Sequence, residues 1–194
     1  MAQKTQSKTS KAKGSTRRAQ PVVPPGSAAM AETFSRRLVN RLKGSETQEI
    51  DIIDAIKEDH KPLKEFITIF KDEKKTFAEK KRAFERFAPI LEAHAKPEEQ
   101  ALYADMRTIS EMKVDSHEGD IEHEVVDTLV AQLKRTTSRD IFLAKVKVVA
   151  ELLDHHIREE ENDMLPDYKS NTTSEERYKA GAKYLKARST YLAH

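Results

Sequence analysis

The sequence predicts an all-α protein, and three observations lead to this prediction. The 194 residues include only 5 glycines, 7 prolines and no tryptophan, which leaves little material for a turn-rich sheet. Charged residues make up 35% of the chain and hydrophobic residues 37%, a balance typical of amphipathic helices. Apolar residues also recur at i, i+3, i+4 and i+7 through the middle of the chain, which is the spacing of one helical face.

The N-terminal part differs in composition from the rest. Residues 1–26 are predicted to form a disordered basic tail, because they are rich in Ser, Thr, Gln, Lys and Pro and offer almost nothing to bury. Such a tail contacts nucleic acid or another polyanion through non-specific charge, or it serves only as a solubilising segment. Its basic, acid-free composition also fits an organelle transit peptide. After it, Ser27 is a suitable N-cap for an accessory helix at 27–45.

Five longer helical segments follow. The periodicity predicts helices at about 48–72, 76–108, 113–135, 139–166 and 174–192. The last one begins with a capping box, formed by Thr172 with Glu175 or by Thr173 with Glu176. Each of the four preceding apolar stripes is interrupted by a histidine, and two of them also by a glutamate one turn later. These interrupting residues are His60, His94, Glu98, His123, His156 and Glu160.

A weak internal repeat relates the first two of these helices to the next two. Asp59-His60 and the apolar residues after it match Glu122-His123 and theirs. His94-x3-Glu98-Glu99 matches His156-x3-Glu160-Glu161 in the same way. The repeat therefore presents the same set of polar residues twice.

This pattern predicts a metal centre inside the bundle. His and Glu four residues apart lie on one face of a helix, about 6 Å apart along its axis, so both reach one centre. With both glutamates bridging, each of two metals receives two imidazoles and two carboxylate oxygens, which suits Fe or Mn. The chain has no cysteine, which excludes thiolate sites and iron–sulfur clusters. Read singly, a histidine on an apolar stripe is more often a hydrogen-bonded core residue, so a metal-free structural bundle is the plainer alternative.

At these residues the sequence resembles the hemerythrin or HHE cation-binding family, in the variant with the order His, His-x3-Glu, His, His-x3-Glu. The resemblance covers Ile50 to Asp167. It implies an up-down-up-down antiparallel four-helix bundle over 46–168. To this bundle the capping and periodicity signals add an extra N-terminal helix and a C-terminal accessory helix at 172–194. The resemblance also implies an oxo-bridged di-iron centre that meets dioxygen or hydrogen peroxide, with the six residues above as ligands. Manganese accepts the same donors and stays open.

The sequence departs from the oxygen carriers of this family on the third helix. Those carriers have a fifth histidine there, from a His-x3-His pair, whereas the residue four before His123 is Gly119 and the residue four after it is Asp127. This favours catalase-like peroxide decomposition or oxygen sensing over reversible carriage. Asp127 is either an extra oxygen ligand or part of a solvated face. Tyr103 is either a pocket-lining phenol or an ordinary core aromatic.

Three further histidines are not assigned to the centre. His155 is expected to lie beside the site or in solvent, and His117 and His194 are expected to be solvated.

The expected function is thus that of a non-haem di-iron protein that reacts with or senses dioxygen or peroxide. The alternative is a metal-handling or regulatory module whose basic tail contacts nucleic acid or a partner. No run approaches the roughly 18 apolar residues that span a bilayer, and the start of the chain lacks a secretory h-region. We therefore expect a cytoplasmic protein without membrane contact, and the sequence leaves open whether it is an enzyme.

Overall fold

The computed structural model describes residues 49–192, and every regular element within them is a helix. The predicted tail at 1–26, the predicted accessory helix at 27–45 and His194 lie outside the described residues. The expectation of an all-helical protein is confirmed for the described part. Its helices are α1 (Ile52–Lys71), α2 (Phe77–Met106), α3 (Lys113–Arg135), α4 (Arg139–Glu159), α5 (Leu165–Asn171) and α6 (Ser174–Tyr191), with a 3-10 turn at Ser110–Met112 and a π-helical turn at Glu160–Met164.

The helices begin where short polar side chains satisfy their first amides. Asp51 accepts a hydrogen bond of 3.0 Å from the amide of Ile53 at the start of α1. A capping box opens α2. Another, between Thr173 and Glu176, opens α6, which selects one of the two alternatives predicted for that helix.

Four of the helices form a closed ring of neighbours. α1 packs against α2, α2 against α3, α3 against α4, and α4 against α1. The last helix, α6, lies outside the ring and packs against both α2 and α1. The described part of the chain is therefore a helical bundle with one of its edges covered by α6.

The interior consists of two apolar clusters. The first is rich in phenylalanine, and the rings of Phe66, Phe70 and Phe87 pack against one another in stacked or edge-to-face contacts. The second, at the other end of the ring, contains residues of α1, α2, α5 and α6, including Ile56 and Tyr184. α1 and α2 each contribute residues to both clusters. α3 and α4 contribute to the first cluster, and Met112, just before α3, and Met164, just after α4, belong to the second. The residues between the clusters are the histidines and glutamates singled out above.

The fourth helix does not end where the sequence analysis placed it. We predicted an end at 166, whereas the helix continues through the π-helical turn and α5 to Asn171. The predicted end was wrong because the apolar periodicity on which it rested assumes regular α-helical spacing, which the π-helical turn interrupts. In the wider turn the amide of Leu165 bonds the carbonyl of Glu160, five residues back, and the helix continues through a proline that has no amide to donate.

Candidate metal centre

All six predicted residues meet in the layer between the two apolar clusters. They form two groups, His60 with His94, Glu98 and Glu160, and Glu98 with His123 and His156. Within each group the potential ligand atoms lie within 4.8 Å of one another. All six side chains are buried, at no more than 4% exposure. The structure thus brings together two neighbouring sets of donors that share Glu98.

Each glutamate lies between one histidine of each group. Glu160 Oε2 is 3.2 Å from His60 Nε2 and 3.6 Å from His156 Nε2. Glu98 Oε2 is 3.3 Å from His94 Nε2 and 3.7 Å from His123 Nε2. The rings also pair edge to face, His60 with His94 at 4.9 Å between centroids and His123 with His156 at 4.8 Å. Each carboxylate is therefore shared between a histidine of one group and a histidine of the other.

The outer nitrogen of every imidazole has a hydrogen-bond partner. Three of the Nδ1 atoms lie next to carboxylates: His60 is 2.8 Å from Glu161, His156 is 2.7 Å from Glu122, and His123 is 3.2 Å from Glu99. The fourth, His94 Nδ1, lies 3.2 Å from the Tyr184 hydroxyl. An ionised carboxylate only accepts, so three of these histidines donate from Nδ1. This is the arrangement that orients histidine ligands in metal sites. At their inner Nε2 atoms, His123 and His156 lie 3.1 Å apart and share a hydrogen bond.

Several inward-facing nitrogen and oxygen atoms of the site lack hydrogen-bond partners, which favours binding of a cation. Among the described residues, His60 Nε2, His94 Nε2, both oxygens of Glu98 and Glu160 Oε2 are buried without a hydrogen-bond partner. All five face the same small region, and an ionised carboxylate oxygen or a bare imidazole nitrogen has nothing to donate. Buried polar groups of this kind cost free energy unless a partner neutralises them. A bound cation would give these atoms the partner that they lack.

The electrostatics of the two glutamates differ. Burial and the neighbouring Glu160 carboxylate raise the pKa of Glu98 well above its ordinary value. Burial also pushes up the pKa of Glu160, but the imidazoles of His156 and His60 outweigh it and hold that pKa below the ordinary value. Burial, reinforced by His60, lowers the pKa of His94, so this imidazole is neutral. Without a cation, Glu160 therefore ionises more readily than Glu98.

Tyr103 reaches the site and fills the space beside Gly119. Its hydroxyl donates a 2.8 Å hydrogen bond to Glu160 Oε1, and its side chain is fully buried. Gly119, which stands where the oxygen carriers have their fifth histidine, lies directly against this ring. A Cβ atom at Gly119 would stand 2.6 Å from the Tyr103 Cζ atom. Glycine at this position thus leaves room for the phenol, and a larger residue would displace the Tyr103 ring.

The other candidates lie at the edge or outside. Asp127 belongs to neither group and pairs with Lys96 at 2.8 Å. His155 is 68% exposed and lies 3.4 Å from Glu159, and His117 is exposed. With Glu122, His155 and Glu159 make a third set of close ligand atoms on the surface.

A small cavity adjoins one side of the centre. Its volume is about 10 Å³, and it is lined by His123 and His156 together with apolar side chains such as Leu91 and Val126. This is about the room that one water molecule needs. The His60 and His94 side of the centre lies instead beneath α6.

Sequence reasoning missed the residues that hold the histidines. Glu99 and Glu161 follow the two predicted glutamates in the repeat, and Glu122 precedes His123, so the repeat itself contained a signal for them. The pKa of Glu122 is lowered chiefly by its hydrogen bond with His156. Tyr184 lies on α6, outside the repeat, and no pattern in the sequence indicated it.

The fold and the site together define a helical-bundle protein with a buried cation-binding centre. The model of the hemerythrin HHE cation-binding domain matches residues 51–168, which is more than half of the chain. The chain belongs to this family. Comparison with curated proteins and with solved structures gave no match. None of the helices between residues 49 and 192 is long and apolar enough to cross a membrane.

Proposed function

We propose that this chain is a non-haem di-iron protein that reacts with or senses dioxygen or hydrogen peroxide, with catalase-like peroxide decomposition as the candidate reaction. The observation that carries the proposal is the double bridge: each of two buried glutamates lies between one histidine of either group. A pair of metals bound there would have two imidazoles and two carboxylate oxygens each, which leaves positions for a small ligand.

The donor set favours iron, with manganese as the alternative. Imidazole and carboxylate donors suit both metals. When bound, the metal pair supplies redox and Lewis-acid chemistry toward a small oxygen species. The ligands proposed for it are His60, His94, Glu98, His123, His156 and Glu160.

The protein's own groups would prepare the site in three ways. The partners at Nδ1 keep the histidine lone pairs directed inward. The apolar clusters on either side exclude bulk water, which strengthens the electrostatic interactions between them. The Tyr103 hydroxyl holds a proton at Glu160 Oε1, inside the centre.

The substitution of a phenol for the fifth histidine supports reaction or sensing over reversible carriage. Tyr103 fills the space next to Gly119, so an additional imidazole from that position of α3 is excluded. The cavity beside His123 and His156 then gives a small ligand a direct approach to this half of the centre.

We further propose the up-down-up-down order of the family for the ring. In its support, α1 starts in the second apolar cluster and ends in the first, and α2 runs the opposite way. Met112, just before α3, and Met164, just after α4, belong to the second cluster, whereas the end of α3 and the start of α4 belong to the first. The connections at 72–76 and 136–138 are short, as between antiparallel neighbours.

The test is the metal content and the optical spectrum of the purified full-length protein. We expect about two irons per chain and a charge-transfer absorption that changes on adding peroxide or dioxygen. Glu98→Ala should lose both metals, because Glu98 would bridge them. Glu92→Ala is the matched control, since Glu92 is exposed on the same helix and should leave the metal content unchanged.

Two results would count against the proposal. A wild-type chain without stoichiometric iron or manganese would reject the metal centre. An iron-loaded protein whose spectrum does not respond to peroxide or dioxygen, and which releases no gas from peroxide, would reject the reactivity and leave only cation binding.

A further inference from the structure

One of the four histidine partners breaks the symmetry of the internal repeat. In the second half of the repeat, Glu122 bonds the Nδ1 atom of His156 directly. Its counterpart in the first half is Asp59, which does not bond the corresponding histidine, His94. Instead, Tyr184 stands between them, with its hydroxyl 2.8 Å from Asp59 Oδ2 and 3.2 Å from His94 Nδ1. A residue of α6 has thus been inserted into one half of the centre.

α6 is held firmly at this place. Arg177, Gly181, Tyr184 and Arg188 are spaced at i, i+4, i+7 and i+11, so they share the helix face that meets the ring. Arg177 pairs with Asp51 at 2.7 Å, and Arg188 Nε pairs with Asp59 Oδ2 at 2.5 Å.

Between these ion pairs the helix approaches the backbone of the ring closely. A Cβ atom at Gly181 would stand 2.0 Å from the carbonyl oxygen of Ile50. Tyr184 is fully buried between the two anchors and has little freedom to move.

The hydrogen bonds around Tyr184 fix the direction of each proton. Asp59 Oδ2 already accepts from Arg188, whose guanidinium only donates. The Tyr184 hydroxyl also donates to this oxygen, which leaves its own lone pairs to accept from His94. His94 therefore carries its proton on Nδ1 and presents a bare Nε2 atom to the centre.

The two halves of the centre consequently differ. His123 and His156 both have carboxylate partners, whereas the first half has one carboxylate partner, on His60, and one phenol, on His94. A neutral phenol is a weaker acceptor than a carboxylate and makes the attached imidazole a less basic ligand. The first half is also the side covered by α6, away from the cavity that His123 and His156 line.

We propose that Tyr184 is a positioning residue that fixes the tautomer of His94 and makes the half with His60 and His94 the weaker of two unequal metal positions. The inference rests on the proposed metal centre for its second part. Its first part concerns the protein without metal. α6 lies outside the region that the family model matches, yet through Tyr184 it would determine how His94 binds a metal.

The first measurement is the tautomer of His94 in the metal-free, full-length protein, from long-range ¹⁵N–¹H correlation spectra of the imidazoles. We expect the proton on Nδ1 in the wild type and a mixture of tautomers in Tyr184→Phe. A wild-type His94 protonated on Nε2 would overturn the inference, and this result does not require any variant to fold.

The second measurement is a titration of the same proteins with Fe(II), without oxygen, against a competing chelator. The wild type should fill in two resolved steps. Tyr184→Phe should weaken one step by roughly 10- to 100-fold and leave the other unchanged. Tyr178→Phe, a half-buried tyrosine on the same helix, is the control and should behave as wild type.

The outcomes separate this inference from the proposed function. If both Fe(II)-binding steps are unchanged in Tyr184→Phe, or are weakened equally, the two metal positions do not differ as proposed. The proposed metal centre itself would be unaffected by this result. A wild type that binds no Fe(II) would reject the proposed function and the unequal positions, and the tautomer of His94 would still decide the positioning role.

Discussion

Removal of the proposed metal pair should cost this protein a large part of its stability. The perturbation is exhaustive dialysis of the metal-loaded chain against a chelator. It leaves five buried atoms of His60, His94, Glu98 and Glu160 without a partner. We expect the metal-free chain to stay helical, because both apolar clusters are formed by other residues, but to unfold much more readily.

The expected loss of stability follows from the number of buried atoms left without a partner. A buried polar atom without a partner costs about 1–3 kcal/mol, so five of them at the lower end cost about 5 kcal/mol. Domains have only about 5–15 kcal/mol of stability in total. For a domain of this size, such a loss lowers Tm by about 10–20 °C.

The assay is urea unfolding followed by circular dichroism, with and without metal, and Glu98→Gln is the informative variant. Burial raises the pKa of Glu98 above its ordinary value of 4.5, so the metal-free folded chain loses stability as pH rises from there through the raised pKa. Glutamine cannot ionise. The metal-free variant should therefore become more stable than the metal-free wild type as pH rises, and less stable than wild type when metal is present.

Two results would refute this reasoning. One is an unfolding midpoint that does not move although elemental analysis shows that the metals have gone. The other is a difference between metal-free wild type and Glu98→Gln that stays constant over the pH range.

Three further predictions concern single residues. Gly181→Ala should lower the free energy of unfolding in urea, although helix propensity alone would raise it by roughly 0.5–1 kcal/mol, because the new methyl group meets a backbone carbonyl at 2.0 Å. Gly119→Ala should push the Tyr103 ring off Glu160 and change the optical spectrum of the iron-loaded protein, while the far-ultraviolet circular dichroism stays the same. Glu79 forms the capping box of α2, where hydrogen bonds from the backbone and side chain of Thr76 lower its pKa to about 2. The stability from this box is present above pH 4.5 and lost as pH falls toward 2, so Glu79→Gln should remove that part of the acid dependence of unfolding, and an unchanged acid limb would contradict it.

Much of the fold followed from periodicity and from end signals. The predicted helices at 76–108, 113–135 and 174–192 agree with α2, α3 and α6 to within two residues at each end. The family assignment is confirmed by the matched region at 51–168. The six candidate ligands were found because helical spacing converts a position in the sequence into a face, and each of them interrupts an apolar face.

The remainder depended on contacts that no local pattern encodes. The π-helical turn at Glu160–Met164 is formed where the helix passes Pro166, and the sequence analysis had placed an end there. The Tyr103 hydroxyl bonds a glutamate 57 residues further along the chain. The face of α6 escaped notice because it consists of two arginines, a glycine and a tyrosine, and a search for apolar stripes passes over such a set.

The limits of a family match are not the limits of a folding unit, and α6 shows the difference. A chain cut at residue 168 would keep every candidate ligand. It would also uncover the apolar surface of α1 and α2 that Ala180 and Tyr184 bury, and it would leave Asp59 without the arginine that pairs with it. Such uncovered surface promotes self-association. We expect the shortened protein to aggregate during purification, and its failure to hold iron would then say nothing about the ligands themselves.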